Sequence, residues 1–432
     1  MKFKYLIYIT IIGFLFSCKP EVDEFSLSSG SADFSTYVSI GNSLTAGYAS
    51  GSLFRSGQES SYPSILAMQF QKAGGGNFVQ PLMEGEFGIL PGKLKLGYST
   101  DCLGTTSLAP VPDQGQLDAI APIGYTVNNM GVPGAKSFHL LAPGYGSLAG
   151  VPLGLANPYY ARFASSEQAT VIGDAIAMAP TFYSLWIGNN DVLGYATSGG
   201  VGDTITGINT FAYALNTIIT AMNATGAKGV IANIPDVTAI PFFTTVPYNA
   251  LVLTQQAQVD ALNAAYGPLG ITFNLGQNGL IIADANAPAG LRQIKSNELV
   301  LLTVPQDSIK CAGWGSQVPI PDQYVLTEAE INNVQNAVSA YNSTISQLAS
   351  QFGLAHVDMN GKMNDLKNGL VYNGETFTST FVTGNSFSLD GVHLTPKGYA
   401  LVANFFIEAI NQKFGATLPT ANLVEYPANE LP

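Results

Sequence analysis

An alternation of short apolar runs with longer segments of helical periodicity constrains this chain more than any other feature. Phe182 to Ile187 is dominated by aromatic and aliphatic residues, as a strand buried on both faces requires. Phe211, Leu215, Ile218, Ile219 and Met222 then recur at helical spacing, and Gly226 supplies a stop. Lys228 to Asn233 is the next strand. Tyr37-Val38-Ser39-Ile40 and Tyr125-Thr126-Val127 read as earlier strands, and Leu354 to Asp358 as a later one. Thr327-Glu328-Ala329-Glu330 has the form of a capping box that opens a helix to about Phe352. Pro396 to Phe414 reads as the last helix, with Pro396 in its first turn. Strand-helix alternation predicts an α/β fold: a parallel sheet covered by helices on both faces.

Two stretches break the rhythm. Residues 51–120 are rich in Gly, Pro and Ser, and residues 241–326 hold Pro-rich segments with one short helix candidate near Gln255–Tyr266. Both are expected to be loop insertions at strand ends, where loops build the rim of an open α/β site. The alternative is that one of them is a small separate domain. A chain of 432 residues has room for either.

The N-terminus carries an export signature. Lys2 and Lys4 precede the apolar stretch Tyr5 to Phe16, which is too short to span a membrane and suits a signal h-region. The stretch ends in Leu15-Phe16-Ser17-Cys18, which resembles a bacterial lipoprotein signal. The resemblance implies a signal peptide over 1–17, lipid on Cys18 and a membrane attachment through that lipid. Residues 18–35, acidic and then Ser/Gly-rich, are expected to be a flexible tether ahead of a domain over 36–432. Glu21-Val22-Asp23-Glu24 resembles surface-export signals of some Gram-negative lipoproteins, and it equally suits a solvated tether. The expected location is the cell envelope, lipid-anchored at the outer membrane, periplasmic or surface-exposed. Charged residues make up only 11% of the chain and the net charge is −12, so a nucleic-acid partner would be repelled. With Cys18 lipidated, Cys102 and Cys311 remain as one possible disulfide. No CxxC or closely spaced Cys/His set suggests zinc.

Four short segments carry the chemistry. They are Gly41-Asn42-Ser43-Leu44, Asn129-Met130-Gly131-Val132-Pro133-Gly134, Trp186-Ile187-Gly188-Asn189-Asn190-Asp191 and Asp390-Gly391-Val392-His393. A serine hydroxyl needs a base to take its proton, and the base needs a third group to hold its tautomer. The chain has three histidines, and His139 and His356 show no matching context. His356 sits inside an apparent strand and is expected to be structural.

This ordered set resembles the SGNH hydrolases, also called GDSL esterases and lipases, from Val38 to about Phe414 with the two insertions unmatched. The resemblance implies a three-layer α/β/α sandwich with a flavodoxin-like sheet order. It implies Ser43 as nucleophile, His393 as general base and Asp390 as the group that orients it. It further implies an oxyanion hole from the backbone N–H groups of Ser43 and Gly134 and the Asn190 side-chain amide. The implied reaction is ester hydrolysis through an acyl-enzyme, with no metal or organic cofactor. The implied substrate is a small-molecule, lipid or glycan ester. The family usually has Asp where this chain has Asn42, a position thought to support the turn around the nucleophile. Asn233-Ile234-Pro235-Asp236 resembles a segment that shapes the site rim in longer members.

Plainer readings stand beside these. Ser43 suits a helix N-cap, Gly134 a turn glycine, Asn190-Asp191 a turn, and Asp390 with His393 a surface pair. Tyr62, Phe87, Tyr125, Tyr195, Phe242 and Phe243 are either acyl-pocket or core residues, with core favoured. The expected activity is that of a serine esterase or lipase. The alternatives are a carbohydrate O-acetyl esterase and a non-catalytic lipid- or glycan-binding surface lipoprotein.

Overall fold

The computed structural model describes residues 26–432, so the signal over 1–17, Cys18 and the acidic stretch 21–24 lie outside the described residues. Strand β1 (Tyr37–Gly41) leads into the one-turn helix α1 (Ser43–Ala46), followed by α2 (Tyr62–Lys72). The hairpin β2 (Leu94–Thr100) and β3 (Thr106–Pro112) precedes the short strand β4 (Asn129–Gly131). Next come α3 (Val171–Ala177), β5 (Phe182–Trp186), α4 (Asn190–Thr197), α5 (Ile208–Ala224) and β6 (Lys228–Ala232). The last part holds α6 (Gln256–Tyr266), α7 (Gln306–Cys311), α8 (Glu328–Gln351), β7 (Ala355–Val357), α9 (Met359–Asn368) and α10 (Pro396–Phe414), among shorter pieces.

The central sheet has the order β7-β6-β5-β1-β4, and every neighbouring pair is parallel. Counted along the chain this is 2-1-3-4-5, the flavodoxin-like order, and strand order reverses beside β1. All residues of β1 and β5 are buried, because helices cover both faces. One layer pairs α2 with α10, where the Tyr62 and Phe406 rings stack at 4.7 Å between centroids. The other groups α3, α5 and α8, with Phe211 stacked on Tyr341 at 4.0 Å. Burial of each such side chain contributes about 1.5–3 kcal/mol. The chain is a three-layer α/β/α sandwich.

Three sequence readings need correction. The second strand is Asn129–Gly131, which starts two residues beyond Tyr125-Thr126-Val127. Asparagines disfavour strands as a class, yet here they are buried because their amides clamp neighbouring segments. Asn128 donates to the Tyr37 carbonyl (3.1 Å) and accepts from Val79 N–H (2.9 Å), and Asn129 donates to the Thr45 carbonyl (3.0 Å).

The stretch 26–35 is not a tether. Ala32 and Phe34 are buried, and Phe34 stacks on Phe70 at 4.1 Å. Ser31 N–H donates to the Phe414 carbonyl (2.8 Å), and Thr417 N–H to the Ser28 carbonyl (2.9 Å).

The region 51–120 is not loop throughout. Its helix α2 belongs to the sandwich, with Tyr62, Ile65, Leu66 and Phe70 in the core. Beyond α2 the region becomes the hairpin β2–β3, whose tip joins the second irregular region through a Cys102–Cys311 disulfide. A Lys310–Asp101 ion pair (2.9 Å) lies beside that bridge. Residues 241–326 carry a small apolar cluster of their own, including Val246, Leu280, Ile282, Val300 and Ile320.

Candidate active site

The site forms at the carboxyl ends of β1, β4 and β5, where the order reversal leaves a crevice. Asn42 caps α1: its side-chain oxygen accepts the Leu44 N–H (3.0 Å), and its amide donates to Asn189 Oδ1 (3.3 Å). Ser43 is thereby the first residue of α1, with its backbone N–H at a helix terminus. Glycine at 131 lets α1 lie against β4, since a Cβ there would stand 2.3 Å from Ala46 N.

His393 Nε2 lies 2.9 Å from Ser43 Oγ, and His393 Nδ1 lies 2.8 Å from Asp390 Oδ2. A carboxylate only accepts, so Nδ1 carries the proton and Nε2 is left to accept from the serine hydroxyl. Asp390 accepts four further hydrogen bonds. The N–H groups of Val392 (2.9 Å) and His393 (2.8 Å) and the Ser388 hydroxyl (3.2 Å) reach Oδ1, and Gly51 N–H (2.9 Å) reaches Oδ2. Burial pushes this carboxyl up, but the His393 charge and these donors outweigh it and hold it well below the usual carboxylate range. Ser50 N–H donates to Ser388 Oγ (2.8 Å), and the Tyr48 ring sits 4.6 Å from the His393 ring. The segment leaving the Ser43 helix therefore braces the acid and the base.

Gly134 follows β4 in a left-handed turn, with φ +79°. A Cβ there would meet nothing within 4 Å, so the backbone conformation selects glycine, not crowding. The Asn190 amide donates one N–H to the Ala135 carbonyl (3.0 Å), which ties the turn after β5 to the turn after β4. An amide carries a second N–H. Asp191 points away: it is fully buried and accepts from the Ser137 N–H (2.8 Å) and hydroxyl (2.7 Å).

Ser43, Asn190 and His393 line one cavity together, and Gly134 does not line it. Pro235 does, next to an Asn233 that holds the Trp186 indole N–H through its carbonyl (3.1 Å). None of Tyr62, Phe87, Tyr125, Tyr195, Phe242 and Phe243 faces this cavity. Tyr62 and Phe243 are fully buried core, and Tyr125 is half exposed. Among the described residues no three His, Cys, Asp or Glu side chains converge as a metal site, and no helix is long and apolar enough to cross a membrane.

The GDSL-like Lipase/Acylhydrolase family matches residues 37–406. The chain belongs to that family. A GDSL-like acylhydrolase is a carboxylic ester hydrolase, and Ser43 and His393 both fall within the matched span. Among curated proteins none matches this GDSL hydrolase. Solved structures similar to it include the following three. An alpha/beta hydrolase enzyme from the metagenome of Lake Arreo, Spain, is 12% identical with a TM-score of 0.37, over 88% of this chain and 96% of that one. An acetylxylan esterase from Geobacillus stearothermophilus gives the same four values. A lipase/acylhydrolase from Enterococcus faecalis is 12% identical with a TM-score of 0.34, over 89% and 98%.

Three supporting residues of this GDSL hydrolase escaped the sequence reading: Tyr48, Gly51 and Ser388. Ser388 alone left a trace, as a small hydroxyl two positions before Asp390.

Proposed function

We propose that the protein hydrolyses acyl or acetyl esters through an acyl-enzyme on Ser43, at the cell envelope and anchored by lipid on Cys18. The observation that carries the catalytic part is the unbroken line Ser43–His393–Asp390, with links of 2.9 and 2.8 Å. Ser43 Oγ attacks the ester carbonyl carbon as its proton passes to His393 Nε2. The charge that develops on the carbonyl oxygen meets the N–H groups of Ser43 and Gly134 and the Asn190 amide. The bond to the alcohol oxygen then breaks while His393 returns the proton to it. Water adds to the acyl-enzyme by the same proton route and releases the acid. Asp390 holds the His393 tautomer and stabilises the imidazolium. The intact line of hydrogen bonds supports turnover over a purely binding role.

The test is fluorophosphonate labelling and p-nitrophenyl ester hydrolysis by the full chain. Ser43→Ala is expected to lose the label and His393→Ala the turnover, with far-ultraviolet circular dichroism unchanged. Labelling that persists in Ser43→Ala sinks the nucleophile assignment. Metabolic labelling with a fatty-acid probe tests the anchor, and a Cys18→Ala chain that still takes up the probe overturns it.

A further inference from the structure

We infer that the cavity beside Ser43 is an acyl slot that selects esters of linear fatty acids over acetyl esters and glycan-sized groups. The inference rests on the Ser43 acyl-enzyme reading above. The cavity is narrow, with a volume of about 90 Å³, and it is open at its mouth. Its walls are two apolar stripes that face each other. Met359, Met363 and Leu366 repeat at helical spacing along α9, and Leu401, Val402 and Phe405 form the facing stripe of α10. These six side chains are buried members of the main apolar core, and each also lines the cavity.

Few of the lining side chains are polar. Asn42, Ser43, Asn189, Asn190 and His393 make up the catalytic corner. Apart from these, the lining offers only Ser386, Lys362 and the Trp186 indole, whose N–H is held by the Asn233 carbonyl. Ser386 donates to the Gly384 carbonyl (3.3 Å), and Lys362 Nζ lies 4.8 Å from the centre of the Phe405 ring. A sugar ring placed here would bury several hydroxyls without partners, each costing roughly tenfold or more in binding. An acetyl group would touch few of these apolar walls.

A linear chain meets the slot on its own terms. Each methylene it buries is worth about fourfold in kcat/KM. The two methionines add flexible walls that conform to a chain. The slot suits the acyl part because that part stays attached to Ser43 through the intermediate. The alcohol must leave from the His393 side after the first step.

The experiment measures kcat/KM for p-nitrophenyl acetate, butyrate and octanoate with the full chain, per fluorophosphonate-titrated site. The expected result is a rise of about fourfold per methylene until the slot is full. Met363→Trp and Val402→Phe should lower the octanoate-to-acetate ratio by at least about tenfold. The isomeric pair ethyl octanoate and octyl acetate decides which half is held, and the former should be preferred. Ser43-dependent turnover that is flat or falling with acyl length overturns the inference, as does preference for octyl acetate. If neither variant folds, the wild-type series and the isomeric pair decide alone. Absence of Ser43-dependent labelling and turnover on every ester is a different result, since it removes the enzyme reading itself.

Discussion

Asp390 accepts five hydrogen bonds and offers none. Asparagine there would set an N–H₂ group against those donors and unfix the His393 tautomer. Asp390→Asn is expected to lower kcat by about 10⁴, measured at pH 7 to 9. The same carboxyl carries a pH signature. Its folded-state pKa is depressed, so its stabilising contribution is full above the unfolded carboxylate range and is lost as pH falls through the folded value. In urea unfolding, the stability gap between wild type and Asp390→Ala should therefore shrink as pH falls below about 4. A gap that widens on acidification would contradict this. Asn42 caps α1 through its oxygen, which Asp would supply equally, so Asn42→Asp should change kcat/KM by less than about tenfold. Ser43, Asp390 and His393 were legible because their motifs are short and histidines few. Gly51 and Ser388 were not, because the Ser50–Ser388 contact joins positions 338 apart.

Helices announced themselves where their ends carry local chemistry. For α10 the signal was Pro396 in the first turn, and the helix runs over the expected Pro396–Phe414, closed by Gly415 with φ +66°. For α8 the Glu330 carboxylate accepts the Thr327 N–H and hydroxyl, each at 2.7 Å. Glu330→Ala should cost about 1 kcal/mol, read from the urea midpoint. Strand β4 and the hairpin β2–β3 gave no comparable signal. The buried Asn128 and Asn129 find most of their partners far along the chain, at Tyr37, Thr45, Val79 and Gln80. The hairpin is largely solvated, with Tyr98 72% and Leu108 45% exposed, so no period of two emerges. A partly buried network also fixes the second irregular region to α8. Arg292 pairs with Asp284 and Glu298, and Glu298 accepts the Glu328 N–H at 3.2 Å. Arg292→Ala strands the nearly inaccessible Glu298 carboxylate and should cost about 3 kcal/mol. Faster proteolysis within 241–326 would report it, and unchanged resistance would count against the network.

Over the whole molecule, the parallel sheet and its helical layers followed from patterning, while the way the irregular regions hold one another did not. Their bridge, Cys102–Cys311, closes a loop of 209 positions. Replacing both cysteines with serine should lower stability by about 2–4 kcal/mol, seen as a lower Tm and as cleavage within the hairpin. Residues 28–31 lie against Phe414 and Lys228, at the amino ends of the strands. Ser43 stands at the opposite pole. The covalent chain from Cys18 to Ser26 can span at most about 28 Å. A domain of this size is ~55 Å across. With the proposed lipid on Cys18, the domain would be held by the pole opposite its mouth, and its esters would come to it from the water side.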